Sequence, residues 1–320
     1  MPQPHRTLHD LRPDAFAYVW DNSLEPALEV EPGDQVEFHV RDASDEQIAA
    51  SSSAADVSRL DFDHVNPVSG PVFVKGARAG DVLEVEIVEL APRDGWGWTA
   101  IIPGFGLLHD EFPEPWLRIS EIDRAGSRVV WSDRITLPYR PFPGTIGVAP
   151  AEGGQHSIVP PSRWGGNIDT KHLRAGTTLW LPIGVEGALF SVGDTHATQG
   201  DGEVCGTAIE TAMDVVLRLS VRTDFSLETP HYVLPPGALA ATEGSAFHVT
   251  TGVGPDLMEA SKQAVRQAIG YLGERYGLDP QEAYAVCSVA ADLRIHEVVD
   301  APNWVVGVFL PEEIFEKGDT

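Results

Sequence analysis

The stretch AIETAMDVVLRLSVR, which runs from Ala208 to Arg222, decides the fold class because apolar and polar side chains alternate along it. Successive side chains of a β-strand point to opposite faces of a sheet, so this alternation predicts a long strand with one buried face. The apolar row contains Ile209, Met213, Val215, Leu217, Leu219 and Val221. Glu210 belongs to the other row and is expected on the face opposite the apolar one.

Three earlier segments repeat a shorter version of this pattern, in which a glycine-containing turn precedes an alternating run. They are EVEPGDQVEFHV (29–40), KGARAGDVLEVEIV (75–88) and KHLRAGTTLWLPI (171–183). The 31 glycines and 25 prolines of the chain also favour many turns and short strands over long helices. These features predict a mainly β protein that is built as a sandwich or barrel.

Helical patterns are confined to the C-terminal part of the chain. Over residues 256–276 apolar side chains recur every three or four positions, and Gly277 is typical of a helix end. The letters DPQE, which open residues 279–289, are typical of the start of a second helix. The sequence therefore predicts a helical hairpin, followed by a last strand in residues 303–311, and an α+β fold that is mainly β.

Length and charge limit the domain organisation and the partners. With 320 residues the chain can bury a full core, and we predict a single unit with two sub-parts. Residues 1–225 would form a β-rich sandwich or barrel, and residues 226–320 an α/β part. The 48 acidic and 22 basic residues give a net charge of −26, which repels nucleic-acid phosphates and anionic lipid. We therefore expect a small-molecule substrate, and neither nucleic acid nor a membrane as partner.

Cysteine content and hydropathy bear on the compartment. The two cysteines, Cys205 and Cys287, are too few for a disulfide framework. The opening residues MPQPHRTLHDLRPD are polar and lack the apolar segment of a secretory signal. No apolar run approaches the roughly 20 residues of a membrane span. These features favour a soluble, cytoplasmic protein.

The strongest candidate site is the loop GDTHATQGDGEVCGTAIE, residues 193–210, which combines glycines with metal-type side chains. Glycines let a backbone approach a ligand closely. The loop carries one histidine and four carboxylates, namely His196, Asp194, Asp201, Glu203 and Glu210. Short turn signals such as Asp201-Gly202 also occur in ordinary connecting loops, so the residue types alone leave a connecting loop open.

Three pairs of ligand-type residues are spaced two positions apart. They are Asp194/His196, Asn167/Asp169 and Asp61/Asp63. On a strand such pairs point to one side and can hold a divalent ion. Mixed nitrogen and oxygen ligands suit zinc, which lowers the pKa of bound water to about 7 and polarises a carbonyl. An open zinc site of this kind would meet the requirements of amide hydrolysis.

The spacing argument gives a specific assignment. The predicted metal ligands are Asn167, Asp169, Asp194 and His196. The predicted catalytic residues are Glu203, which would carry a proton from water to the leaving amine, and Asp61. Further candidates are Glu210, Asp201, His64 and Asp63. For Asp61 and Asp63 a solvated turn is an equally good interpretation.

Two alternatives remain open from the residues alone. The first is a non-enzymatic jelly-roll module that binds a small molecule or calcium, since oxygen-only ligands suit calcium. His196 among the carboxylates favours a transition metal instead. The second is an amidase with Cys205 as its nucleophile. The acidic surroundings of Cys205 do not favour a thiolate, so a small packed side chain is the preferred interpretation.

Four segments, in order along the chain, resemble the acetamidase/formamidase family. They are LDFDHVNPVSGP (60–71), WGGNIDTKHLRAG (164–176), the loop at 193–210 and CSVAADLRIHEVVD (287–300). The resemblance implies a jelly-roll-like β-sandwich with a smaller β-barrel and an α/β part, a homo-oligomer and a bound divalent metal such as zinc. It also implies hydrolysis of formamide and acetamide to the carboxylic acid and ammonia. His296 departs from the resemblance, which implies a small polar residue there.

Overall fold

The structure is a computed structural model that describes residues 7–106, 113–125, 127–132, 135–199, 203, 205–236, 246–278 and 292–312. Its helices are α1 (Ala54–Val57), a 3-10 helix (Phe62–His64) and α2 (Leu257–Tyr276). The strands of the first half are β1 Leu8–Asp10, β2 Phe16–Ala17, β3 Val19–Trp20, β4 Leu28–Val30, β5 Gln35–Val40, β6 Val68–Val74, β7 Val82–Pro92, β8 Trp96–Ile101, β9 Trp116–Asp123, β10 Arg128–Ser132, β11 Ile135–Pro138 and β12 Phe142–Val148. Those of the second half are β13 His156–Ser157, β14 Gly165–Asn167, β15 Thr178–Pro182, β16 Phe190–His196, β17 Met213–Arg222, β18 His231–Leu234, β19 Phe247–Gly254, β20 Asp292–Glu297 and β21 Trp304–Pro311.

The largest sheet has nine strands in the order β1-β5-β17-β7-β15-β18-β19-β21-β20. The alternating stretch that decides the fold class forms β17, which pairs antiparallel with both β5 and β7. Its inward side chains, from Met213 to Leu219, are fully buried. The strand begins at Met213 and not at Ala208, because Glu210 and Thr211 bond instead to Trp98 and Thr195. Glu210 is therefore buried next to two other strands and not exposed on a polar face.

A second sheet has the order β14-β12-β16-β6-β2, with β4 paired to β6. The main core lies between this sheet and the nine-stranded one, and it includes Phe38 of β5 and Phe190 of β16 with ring centroids 5.8 Å apart. The register aligns Thr145 of β12 with Asn167 of β14 on one side and with Gly193 of β16 on the other. This alignment brings the pairs Asn167/Asp169 and Asp194/His196 to the two sides of β12.

Helix α2 packs on β19 and β21 in the C-terminal part. Asp256 caps its start by accepting a hydrogen bond from the backbone N–H of Glu259, and Gly277 ends it in the left-handed conformation. A Cβ on Gly252 would lie 1.9 Å from the backbone oxygen of Ala260, so glycine is required where helix and strand meet. The prediction of a mainly β, α+β fold with a C-terminal helix is confirmed. The predicted second helix, 279–289, lies outside the described residues.

A four-stranded sheet, β11-β10-β9-β8, and the pair β13-β3 complete the described strands. The nine-stranded sheet takes strands from both predicted sub-parts, since β17 precedes residue 226 and β18 to β21 follow it. The division into residues 1–225 and 226–320 stays a prediction. Among the described residues, no helix is long and apolar enough to cross a membrane.

Candidate active site

Three carboxylates of the candidate site have an unusual backbone. Asp169 two residues after β14, Asp194 on β16 and Glu203 in the following loop have φ angles of 43°, 52° and 43°. Residues other than glycine rarely occupy this left-handed region, and holding them there costs about 1–3 kcal/mol each. All three side chains are buried. The fold therefore bears both a conformational and a desolvation cost to bring these acids together.

His196 at the end of β16 is the centre of the cluster. Its Nε2 lies 3.2 Å from Asp194 Oδ1, 3.0 Å from Glu210 Oε2 and 3.9 Å from Glu203 Oε1. Its Nδ1 lies 4.0 Å from Asp169 Oδ1 and 2.9 Å from Gln199 Oε1. Gln199 donates in turn to the backbone oxygen of Asp169 at 2.9 Å. This second hydrogen bond fixes the orientation of the Gln199 amide. His196 Nδ1 therefore donates to Gln199, and His196 Nε2 faces the acids.

Several buried atoms of the cluster have no hydrogen-bond partner among the described residues. They are both carboxylate oxygens of Asp169, together with Nε2 of His196 and Oε2 of Glu210, which lie 3.0 Å apart but are not aligned for a hydrogen bond. Buried polar atoms are normally paired, so a group of unpaired ligand-type atoms in one place needs an explanation. Gly144 of β12 adds a second observation. A Cβ there would lie 2.5 Å from Asp169 Oδ1 and 2.8 Å from Asp194 Oδ2, so the space in front of these oxygens is open only because residue 144 is glycine.

The donor set fits a divalent cation. Asp169, His196 and Glu203 each offer one ligand atom, and these atoms lie within 4.8 Å of one another; Asp194, His196 and Glu210 do the same. Buried carboxylate oxygens need positive charge to compensate them, and a divalent ion held by these atoms would supply it. Nitrogen mixed with oxygen is the ligand chemistry of zinc and related transition metals.

The electrostatics of the cluster follow from burial and crowding. Burial, and then the charge of Asp194, raise the pKa of Asp169 well above its usual range. Burial, and then Asp169, do the same to the pKa of Glu203. For Glu210, burial outweighs the opposing effect of His196 and raises the pKa to about 7. Burial alone would lower the pKa of His196, but Glu210 and Asp194 raise it well above its ordinary value.

Asn167 connects the cluster to an acid that sequence reasoning missed. Its Oδ1 accepts a hydrogen bond from Thr145 Oγ1 at 2.5 Å, and its Nδ2 donates to Asp300 Oδ2 at 2.7 Å. Asp300 is buried, and burial followed by repulsion from Asp169 raises its pKa well above the usual range. Glu297 accepts from the backbone N–H of Asp300 and so fixes this turn. The family resemblance of residues 287–300 pointed to this segment, but it assigned no role to Asp300.

The remaining predicted residues lie elsewhere or outside the described chain. Asp61 caps the 3-10 helix by accepting from the backbone N–H of Asp63, and its Oδ2 lies 2.7 Å from His64 Nδ1. Asp61, Asp63 and His64 are exposed, and the structure does not bring them into the buried cluster. Asp201 lies outside the described residues. His296 is buried beside Thr170, with Nδ1 3.2 Å from Thr170 Oγ1, next to the cluster but not in the pocket wall.

Cys205 follows Glu203 in the loop. Its Sγ lies 3.4 Å from the backbone oxygen of Thr207 and 3.8 Å from that of Ala100. The side chain is half-buried and is not among the residues that line the pocket in the described part of the chain. These contacts agree with the preferred interpretation of Cys205 as a small packed side chain.

An open pocket of about 590 Å³, mouth included, leads from the surface to the cluster. We call Asn167, Asp194, Glu203, Glu210 and Asp300 its polar floor; further polar lining residues are Ser44, Asn66 and Thr207. Its apolar wall consists of Leu60, Phe62, Trp98, Ile102, Phe105 and Val159. Phe62 and Phe105 stack at the mouth, with ring centroids 5.3 Å apart. A small molecule with one polar and one apolar end matches this division.

Comparison with known proteins identifies the class and the family. A family model described as the Acetamidase/Formamidase family matches residues 9–158 and 151–317. The chain is therefore an enzyme of the amidase class. Within that class it belongs to the acetamidase/formamidase family, as the four sequence segments predicted. The alternative of a non-enzymatic binding module is not supported.

Individual relatives agree with this family. A formamidase of Methylophilus methylotrophus is 28% identical over 93% of this chain and 88% of its own length. The solved acetamidase of Bacillus halodurans has a TM-score of 0.87 at 31% identity, covering 96% of this chain and 99% of the other. An acetamidase from Yersinia enterocolitica has the same TM-score at 30% identity, covering 98% and 94%.

Proposed function

We propose that this protein hydrolyses short-chain aliphatic amides, such as formamide and acetamide, to the carboxylate and ammonia. The observation that carries the proposal is the convergence of His196 with four buried carboxylates, of which Asp194, Glu203 and Glu210 line an open pocket. The relatives named formamidase and acetamidase support these substrates.

A divalent metal would be held by Asp169, Asp194 and His196, with Glu210 as an additional ligand. Zinc fits the mixed nitrogen and oxygen set best, and calcium is the alternative. A bound zinc ion supplies Lewis acidity and lowers the pKa of water towards neutrality. Asn167, also predicted as a ligand, already uses its amide group on Thr145 and Asp300, so it supports the site mainly by orienting those neighbours.

Glu203 would move the proton. In the reaction, the water oxygen forms a bond to the carbonyl carbon and the carbon–nitrogen bond breaks. One proton must leave the water and one must reach the nitrogen before ammonia departs. Glu203 lines the pocket, and its Oε1 lies 3.9 Å from His196 Nε2, close enough to serve a substrate on the floor without being the nearest carboxylate to that nitrogen.

Asp61 has no such position in this chain, because it is exposed and paired with His64. A catalytic role for Asp61 would require the 3-10 helix to contact the substrate as it enters, since Phe62 of that helix lines the pocket. We also propose a cytoplasmic homo-oligomer. The cytoplasmic part is supported by the low cysteine content, and the oligomer by the resemblance to the family.

Ammonia release tests the proposal. Purified protein should release ammonia from formamide or acetamide, lose this activity on prolonged chelation and regain it when zinc is returned. No ammonia from either amide would contradict the substrate assignment. Full activity in metal-free protein would contradict the metal assignment, and the variant Cys205→Ala would then show whether the thiol is the nucleophile.

A further inference from the structure

The apolar wall of the pocket is a surface that formamide would not contact. Formamide carries only hydrogen on its carbonyl carbon, so it would contact the polar floor and leave the apolar wall wet. Four residues of the wall, namely Leu60, Trp98, Ile102 and Phe105, also belong to a small hydrophobic cluster. Apolar surface left facing water in a pocket is a common sign of a ligand that covers it.

Trp98 shows that this wall is apolar even where it carries a polar group. The indole Nε1 donates to Asp42 Oδ1 at 3.0 Å, and the side chain is buried. The hydrogen-bonding capacity of the indole is therefore already used, and the ring can offer only hydrocarbon and its π face to a ligand. Trp98 thus extends the apolar surface down to the floor.

The mouth of the pocket is also apolar. Phe62 is 48% exposed and stacks on Phe105 with an angle of 10° between the rings. A ligand that covers an exposed phenyl ring gains free energy from the apolar area removed from water. An alkyl chain or a planar ring can lie on the outer face of this stacked pair.

The charge of the floor selects against one class of substituent. Asp194, Glu203, Glu210 and Asp300 all face the pocket, and the whole chain carries a net charge of −26. An anionic group on the substrate would be repelled by both. A neutral substituent is repelled by neither.

We infer that the preferred substrates are neutral primary amides with an apolar acyl substituent larger than methyl, placed against the wall formed by Phe62, Trp98 and Phe105. This inference rests on the proposed function, because the amide group must sit on the floor for its substituent to reach the wall. Each methylene that enters an apolar pocket is worth about fourfold or more in specificity.

The test is the specificity constant across a linear series of formamide, acetamide, propionamide and butyramide. We expect kcat/KM to rise along the series by about fourfold or more per methylene group. A flat or falling series would overturn the inference while leaving the proposed function in place. If no amide in the series is hydrolysed, the proposed function fails and the inference fails with it.

Variants of the wall locate the effect. Phe62→Ala and Phe105→Ala should each lower kcat/KM for butyramide more than for formamide, which flattens the slope of the series. Phe62 is exposed, so its variant should fold even if Phe105→Ala does not. The matched control is Phe225→Ala, which removes a ring that packs on Trp180 outside the pocket, and it should keep the slope. An unchanged slope in both wall variants would overturn the assignment.

Discussion

At the scale of single residues, a substitution at Gly144 tests whether a metal ion occupies the cluster. A Cβ at this position would lie 2.5 Å from Asp169 Oδ1 and 2.8 Å from both Asp194 Oδ2 and His196 Cε1. Gly144→Ala should therefore lower bound metal and activity together, because the added methyl group occupies the space between the ligand atoms. Metal content by mass spectrometry and ammonia release from acetamide are the measurements.

The matched control is Gly153→Ala, since nothing lies within 4 Å of a Cβ there. Neither glycine has a positive φ angle, so backbone strain does not distinguish the two variants. If Gly144→Ala keeps its full metal content, the open space in front of Asp169 is not the metal position.

Glu203→Gln separates a proton carrier from a ligand. Glutamine keeps the shape of the side chain but cannot exchange a proton, and general acid–base groups contribute about 10²–10⁴-fold. Turnover should fall by that factor while the zinc content stays at the wild-type level. The control is Glu186→Gln at an exposed glutamate. Loss of zinc together with turnover would make Glu203 a ligand, and unchanged turnover would remove it from the mechanism.

Individual site residues could be predicted only where local geometry decides them. Asp194 and His196 lie on β16, so their spacing of two places both near the cluster. Asp61 and Asp63 have the same spacing, but they lie at a 3-10 helix and its cap, where that rule does not apply. Asp300 hydrogen-bonds to a residue 133 positions earlier, and nothing in its own segment could indicate that contact.

At the scale of elements, a histidine pair connects β18, β19 and α2 in the C-terminal part. The rings of His231 and His248 lie 5.4 Å apart, and His248 stacks on Tyr271 of α2 at 3.5 Å. Both histidines are buried, and burial lowers the pKa of His231 to about 4. Burial, and then repulsion from His231, lower the pKa of His248 as well.

The pair predicts acid sensitivity of this part of the fold. An unfolded histidine binds its proton near pH 6.5, whereas folded His231 does so only near pH 4. The stabilisation is therefore present above pH 6.5 and is lost as the pH falls from 6.5 to 4, by about 3 kcal/mol for this group. His231→Phe should flatten the decrease in unfolding free energy over that range, as measured by urea denaturation.

His156→Phe is the control for that experiment, because His156 lies on β13 away from the pair. Its pH profile should follow the wild type. An equally steep decrease in His231→Phe and wild type would show that other groups cause the acid sensitivity.

The elements themselves were predictable where periodicity is strong. The alternation in β17 and the three-to-four spacing in α2 each indicated the right element, and Gly277 ends the helix as expected. The start of β17 could not be predicted, because Glu210 and Thr211 continue the alternation in sequence. Their backbones pair with Trp98 and Thr195 instead, which depends on how the sheets pack.

At the scale of the whole molecule, the buried acids of the cluster reduce the stability of the fold. Asp169, Asp194, Glu203, Glu210 and Asp300 are all buried in one region of a chain with a net charge of −26. Concentrating like charges away from water opposes folding unless a cation compensates them. The sheet order that assembles these acids spans the chain, so this destabilisation could not be foreseen from any one segment.

Metal should therefore stabilise the whole fold. An ion that binds only the folded state adds RT ln(1 + [L]/Kd), which is about 2.7 kcal/mol at a free concentration of 100 Kd. Chelated protein should melt several degrees lower than protein supplied with zinc, by differential scanning calorimetry. Zinc should raise the melting temperature more than calcium does at equal concentration, since His196 offers nitrogen and calcium prefers oxygen ligands.

The net charge provides a competing explanation of any stabilisation by zinc, because any divalent cation screens repulsion among surface acids. His196→Ala distinguishes the two effects, since it removes the nitrogen at the centre of the cluster and leaves the surface charge almost unchanged. Screening would raise the melting temperature of this variant as much as that of the wild type. Binding at the cluster would leave the variant with a much smaller zinc shift, while a high concentration of sodium chloride would stabilise both proteins equally. Equal zinc shifts in the two proteins would therefore contradict a metal site built around His196.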